Sequence, residues 1–299
     1  MSGFTDKPVA AISRDGRKLS LRHGPIDLLI SADGEPSEVQ AAYRQAVNAF
    51  DQVLPELVSE LQLLRRPVSP AVPEPVGNIA RAMHCAALAH CDRFVTSMVA
   101  VAGAVADNLL SALVEGRALQ RAFVNNGGDI ALYLRPGQAF DIGICSNPVT
   151  GEMAGTATVE EADRISGIAT SGWRGRSHSL GVADAVTVLS RDAATADAAA
   201  TIISNEVNIE NSPHVVRERA RDLSPDSDLG ERLVTVDVGD LSPPEITQAL
   251  DCGERLAARL LQRGNIASAF ICLAGDIRIV GGKQLAVRDI GKLTEGVNA

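Results

Sequence analysis

Residues 167–190 read GIATSGWRGRSHSLGVADAVTVLS. Both ends are apolar, and glycines, hydroxyls and two arginines lie between them, as in a loop joining two buried strands. The loop carries Thr170, Ser171, Gly172, Trp173, Arg174, Arg176 and His178, and Trp173 is the only tryptophan in the chain. Guanidinium forks bind phosphate or carboxylate bidentately, and a planar ring system could rest on the indole. An ordinary polar loop with Trp173 in the core is the competing reading. Ser171 and His178 could suggest a hydrolase, but no G-x-S-x-G elbow surrounds that serine.

Upstream, the alternation from Lys18 to Ser31 around His23 and Gly24 predicts two strands joined by a turn. Apolar residues at Tyr43, Val47, Phe50, Leu54, Leu57, Val58, Leu61 and Leu64 predict one helical stripe, with a kink or break at Pro55. Pro67, Pro70, Pro73 and Pro75 make an extended connector near residues 66–76. Helices are expected over 78–89 and 99–115, then a hairpin of Arg121–Val124 and Ile130–Leu134, then strands at 139–145 and 156–160. Downstream come an alanine-rich helix at 193–205, a strand at 234–238, a helix at 244–262 and a hairpin at 267–280. Short turns between strands favour an antiparallel α+β fold, expected as a single domain over residues 1–299.

Two further segments could carry chemistry. In the run Asn125, Asn126, Gly127, Gly128, Asp129, the glycines supply positive φ and bare backbone that can approach a ligand. A tight hairpin turn is the alternative. Asp197 and Thr201 are four residues apart, so both oxygens share one helix face, a partial hard-oxygen set of the kind Mg²⁺ prefers. The alternative is a buried aspartate bonded to backbone. Asp107 and Asp184 also sit in runs of small apolar residues, where a carboxylate needs partners. With Asp129 and Asp197 they are expected to line one cavity. The stretch from Ser224 to Gly230 reads as turn chemistry. The spacing of His84 and His90 places them on different helix faces, which argues against a metal there.

Composition narrows the classes. Apolar residues make up 45% of the 299, enough for a sizeable core, and only 3% are aromatic. A net charge of −9 and few rings for base stacking argue against nucleic acid as a partner. The five scattered cysteines form no CxxC pair and read as reduced, buried thiols. The polar start, Met1 to Ala10, has no signal-peptide stretch, and the apolar window Phe94–Val114 is broken by Asp107 and Asn108 and reads as too short for a bilayer. A cytoplasmic protein without a membrane partner is expected.

Taken in order, the stretches Phe94–Leu110, Val124–Leu134, Gly167–Thr201 and Asp226–Val238 resemble uncharacterised protein family 0280 of the ApbE superfamily. The better-known members of that superfamily transfer FMN from FAD to a protein Thr or Ser, using Mg²⁺. The chain is similar to their G-x-x-x-D at Gly103 and Asp107, to their GGD at Gly127–Asp129, to T-S-G at Thr170–Gly172, and to A-D-x-x-x-T at Asp197 and Thr201. The resemblance implies two tunnelling-fold-like antiparallel units with packed helices. It also implies Asp197 and Thr201 as metal ligands and FAD or FMN near the glycine turns; by their own residue types Asn126, Trp173 and Arg176 are further candidates to touch that ligand. His178 and Asp184 are the candidate catalytic pair. Two departures weigh against transfer: Ala102 stands where the transferases carry Lys, and the D-P-x-T-G loop after His178 is replaced by Ser179–Asp184. Archaeal relatives are linked to sulfide incorporation during homocysteine formation. Two functions follow: an enzyme using a flavin or related nucleotide with a divalent cation, or a non-catalytic accessory protein that binds a small sulfur or cofactor metabolite beside a partner enzyme. The chain leaves a homodimer open.

Overall fold

The computed structural model describes residues 7–147, 150–282 and 285–287, so the first six residues of the polar start lie outside it. In chain order the elements are β1 (Val9–Ile12), β2 (Lys18–His23), β3 (Ile26–Gly34), α1 (Pro36–Ser59), α2 (Leu61–Leu64) and α3 (Asn78–Leu88). A 3₁₀ turn (Ser97–Ala100) leads into α4 (Val101–Val114), followed by β4 (Leu119–Asn126), β5 (Asp129–Leu134), β6 (Ala139–Asn147) and β7 (Glu152–Glu160). Then come β8 (Gly167–Ser171), β9 (Ala185–Ser190), α5 (Ala193–Glu206), β10 (Val215–Arg219), α6 (Ala220–Leu223) and β11 (Leu233–Val238). The last described elements are α7 (Pro243–Gln262), β12 (Ser268–Leu273), β13 (Asp276–Gly281) and β14 (Leu285–Val287). The fold is α+β, with antiparallel strand pairs and packed helices.

The chain divides into two compact units, each assembled from separated stretches. The first takes the described residues within Met1–Gln138, Glu160–Thr170 and Val188–Ala199; the second takes those within Ala139–Val159, Ser171–Thr187 and Ala200–Ala299.

In the first unit the strand order is β1-β2-β3-β4-β5-β8-β9, with β9 represented by its last residues. The alternation predicted around Gly24 gives β2 and β3, whose Leu19, Leu21, Ile26, Leu28 and Ile30 point inward while Lys18, Ser20, Arg22 and Asp27 face solvent. Tyr43, Ala46, Phe50, Leu54 and Leu57 form the buried stripe of α1. The helix runs through Pro55 and stops at Glu60, five residues later than expected. Burial of Val53, Leu54 and Leu57 outweighs the one hydrogen bond a proline removes. The stop is fixed by Glu60, whose carboxylate accepts the N–H groups of Val76 and Gly77 at 2.8 and 2.7 Å. The proline connector is likewise pinned, with the Val68 N–H on the Val95 carbonyl at 2.8 Å.

The continuous helical stretch Ser97–Val114 is long and apolar enough to cross a membrane by length and composition, contrary to the expectation that this window is too short. Its composition is accounted for by packing: α4 lies against α1, α3, β4 and β5, burying Gly103 to Ala106, Leu109, Leu110 and Leu113.

In the second unit, β9 (its first residues), β12 and β13 lie in that order, and α7 packs on β12 and β13. A three-stranded sheet has the order β14-β7-β6, and β10 pairs with β11. The sequence pattern did not suggest β10, because Val215–Arg219 is half-exposed and charged. The segment Ser224–Gly230 is a turn: the Ser227 N–H donates to the Ser224 carbonyl at 2.9 Å, and Gly230 has φ 56°.

The cysteines correct one expectation. All five are free, but Cys85 and Cys91 are exposed and only Cys272 is fully buried. On α3 the buried face is Ile79, Ala80, Met83, His84, Ala86 and Ala87, and Cys85 falls outside it.

Candidate functional site

The G-x-x-x-D segment lies on α4 and meets the start of α5. A Cβ at Gly103 would overlap the carbonyl of Ala193 and the nitrogen of Ala194, so only glycine lets the two backbones touch there. One turn on, the Asp107 carboxylate accepts the N–H groups of Ala193 and Ala194 at 3.0 and 2.9 Å. Asp192 adds a third cap, its Oδ1 accepting the Thr195 N–H at 2.7 Å. Together they satisfy donors that a helix start leaves without intrahelical partners.

Burial pushes the Asp107 carboxyl up to about 6, against the pull of its two backbone donors, and the charge of Asp192 adds to the rise. A raised carboxyl favours the folded state fully below the unfolded value near 3.8, and that contribution is lost as pH rises through about 6. Asp107→Asn keeps one acceptor and removes the titration. Wild type is therefore expected to gain about 1 kcal/mol over Asp107→Asn between pH 7 and pH 5. Melting temperatures of both proteins at the two pH values check this; parallel curves would show that Asp107 does not titrate there.

Asp197 is buried in the second turn of α5, and its Oδ2 accepts the Gly103 N–H at 3.0 Å. Burial raises its pKa well above the usual carboxylate range, followed by the charge of Asp129 and, less, that of Asp107. Asp129 opens β5, and its Oδ1 accepts the Thr170 N–H at 3.3 Å. The buried Asn126 donates from Nδ2 to the Ala102 carbonyl at 3.1 Å. Gly127 and Gly128, with φ of 68° and 115°, form the two-residue turn between β4 and β5. The Gly128 N–H is already taken by Asn125 Oδ1 at 2.9 Å. Asp107, Asp129 and Asp197 thus act on one another within the first unit. Among the described residues no group of three or more His, Cys, Asp or Glu is arranged to hold a metal ion. A cation at Asp197 would need ligand oxygens or water to complete its shell.

In the second unit, Thr201 on α5 donates to Ser171 Oγ at 3.3 Å. A Cβ at Gly172 would overlap the Asp184 carbonyl. The Asp184 carboxylate accepts Trp173 Nε1 at 3.2 Å, Arg174 Nε at 2.7 Å and the Ala274 N–H at 2.7 Å. The Arg174 guanidinium lies 4.4 Å from the Trp173 ring centroid. One face of the indole is therefore covered from within the loop. Burial, with the Asp184 charge behind it, pushes the Cys272 thiol up to about 11. Arg176 and His178 are exposed. The residues after His178 are tied down: the Leu180 N–H reaches Asn205 Oδ1 at 2.9 Å, and the Val182 N–H reaches the Val207 carbonyl at 2.7 Å.

The sequence reading missed the roles of Asn125, Asp192 and Arg174. An Asn two residues before Gly-Gly and an Asp just before an alanine run are recognisable turn and cap signals. Nothing local marks Arg174 as the partner of Asp184.

The profile of the family described as AbpE bacteria matches residues 10–279. A UPF0280 protein of Methanobrevibacter smithii is 34% identical over 143 residues, 48% of this chain and 58% of that one. One from Methanothrix thermoacetophila is 38% identical over 143 residues, covering 46% and 57%. The chain spans about half the length of these curated relatives. Among solved structures, the apo flavinyl transferase ApbE of Pseudomonas stutzeri aligns at TM-score 0.36 and 15% identity, covering 95% of this chain and 97% of that one. The flavin transferase ApbE from Vibrio cholerae aligns at TM-score 0.39 and 14% identity, covering 93% and 97%.

Proposed function

This chain belongs to the AbpE bacteria family, and from that premise we propose that it binds a flavin or related nucleotide with a divalent cation near the start of α5, without efficient FMN transfer to protein. The observation that carries the reading is Asp197, a buried carboxyl held by the Gly103 N–H and facing the charge of Asp129. A buried acid beside a second, half-buried acid is eased by a proton or a cation. The donors fit Mg²⁺, which binds through one or two hard oxygens and completes its shell with phosphate and water. Asp197 and Thr201, one turn on along the same helix, would hold the cation. Gly103, Asn126, Gly127, Gly128, Asp129 and Thr170 would frame the ligand. The bound cation would neutralise phosphate charge and fix its orientation.

A specific observation favours the accessory role over chemistry. Asp184, paired with His178 as a catalytic candidate, already accepts three donors and anchors its own loop. Ala102 supplies no side-chain donor. The accessory reading goes with a cytoplasmic setting, two tunnelling-type sheet units and a partner enzyme.

Calorimetric titration with FAD is expected to show heat in the presence of Mg²⁺ and little without it. Incubation with FAD, Mg²⁺ and an acceptor protein should leave almost no covalent flavin. Absence of heat under both conditions would refute binding, and efficient labelling would refute the loss of transfer.

A further inference from the structure

We infer that β1 is a docking edge for an extended acidic segment of another protein, which adds to the sheet as a strand. β1 pairs with β2 from Val9↔Arg22 to Ile12↔Leu19, and among the described residues no strand lies on its other side. Alternate residues of an edge strand point N–H and C=O outward, a template for a further strand. All four β1 residues are exposed, Val9 at 61% and Ile12 at 59%, and none carries a charge to deter pairing.

The surrounding charge selects the occupant. Lys7, Arg14, Arg17, Lys18 and Arg22 are all exposed around this hairpin, in a chain whose net charge is −9. Of the acids nearby, Asp27 pairs with Arg22 at 3.1 Å. Asp15 is engaged by the Ser13 hydroxyl at 2.6 Å and the Arg17 N–H at 3.1 Å. A second copy adding at β1 would bring two basic hairpins together, which like-charge repulsion opposes. Residues 7–27 contain no Phe, Trp or Tyr on which nucleic-acid bases could stack. A strand carrying alternate carboxylates meets both the backbone edge and the cations.

The test uses the full chain and a fluorescein-labelled peptide alternating valine and glutamate. Anisotropy should show binding that weakens with added salt, and deuterium exchange should show new protection at Val9–Ile12. Combined Arg14→Glu and Lys18→Glu, both on exposed positions, should weaken binding by roughly tenfold or more while leaving the melting temperature in place. The inference is overturned if the peptide does not bind, if it binds without protecting Val9–Ile12, or if a valine–lysine peptide or a single-stranded oligonucleotide binds as well. It is equally overturned if those amides are protected beforehand by self-association, or by the first six residues as shown by their deletion.

Discussion

Gly103→Ala is expected to destabilise the protein by roughly 3 kcal/mol or more, a larger loss than any other single methyl group added to the described glycines of α4 or α7 would cause through crowding alone. The added Cβ would overlap the Ala193 carbonyl and the Ala194 nitrogen. These are backbone atoms, fixed in the first turn of a helix and tied to α4 by Asp107, one turn beyond Gly103. No rotamer change can relieve the overlap. Moving α4 away would stretch the Gly103 N–H from Asp197 and draw Asp107 off its cap, so three contacts are at risk from one methyl. With an unfolding entropy of about 2.1 cal/mol/K per residue, in a chain of 299 residues that corresponds to a fall in melting temperature of about 5 °C or more. Gly16→Ala is the control: its φ is 72° with no atom near a built Cβ, so only the left-handed backbone penalty of about 1 kcal/mol applies. Equal losses in the two variants would show that α4 and α5 do not meet as closely as described.

The second large effect concerns ligand binding. Asp197→Asn is expected to abolish the Mg²⁺-dependent part of FAD binding, weakening affinity in Mg²⁺ by more than about tenfold, with little change in melting temperature. The amide oxygen still accepts the Gly103 N–H, so the local structure keeps its acceptor. What disappears is the carboxyl's capacity to ionise against a cation beside Asp129. Asp197→Ala removes both, and the buried N–H of Gly103 then has no acceptor from this side chain, so that variant should also lose about 1–3 kcal/mol of stability. Calorimetry and thermal melts on the two variants separate the roles. If Asp197→Asn binds FAD as well as wild type in Mg²⁺, Asp197 does not hold the cation.

The parts of the fold that were readable from sequence are those with local causes. The period-two burial of β2 and β3, the stripe of α1, and the Asn-Gly-Gly-Asp hairpin each declare themselves within a few residues. Helix α5 was legible by its alanines rather than by its pattern, because Ala193 to Ala200 are buried all round. The limits are equally physical. Pro55 signals a break only when nothing outweighs the missing hydrogen bond, and the buried stripe does. β10 carries too many charges to look like a strand. At the candidate site the residue types could be picked out, but their uses could not. Gly103 meets Asp197 across 94 positions of chain, and Asp107 meets Ala193 across 86. A motif such as G-x-x-x-D announces that a glycine and an acid are required, and only the partner backbone reveals that they serve a helix crossing and its cap.

The interleaving of the two units bears on how this gene can be dissected. The first unit needs three separate stretches of the chain, and α5 begins in one unit and ends in the other, with the division falling between Ala199 and Ala200. No single stop codon or start site can therefore encode either unit alone. A fragment ending at Gln138 would lack β8, the end of β9 and the helix start that Gly103 and Asp107 receive. A fragment beginning at Ala139 would hold those same pieces without the chain they pack on. Truncation series and two-hybrid fragments built on contiguous halves would present broken cores to the cell, and a missing interaction in such experiments would report the cut.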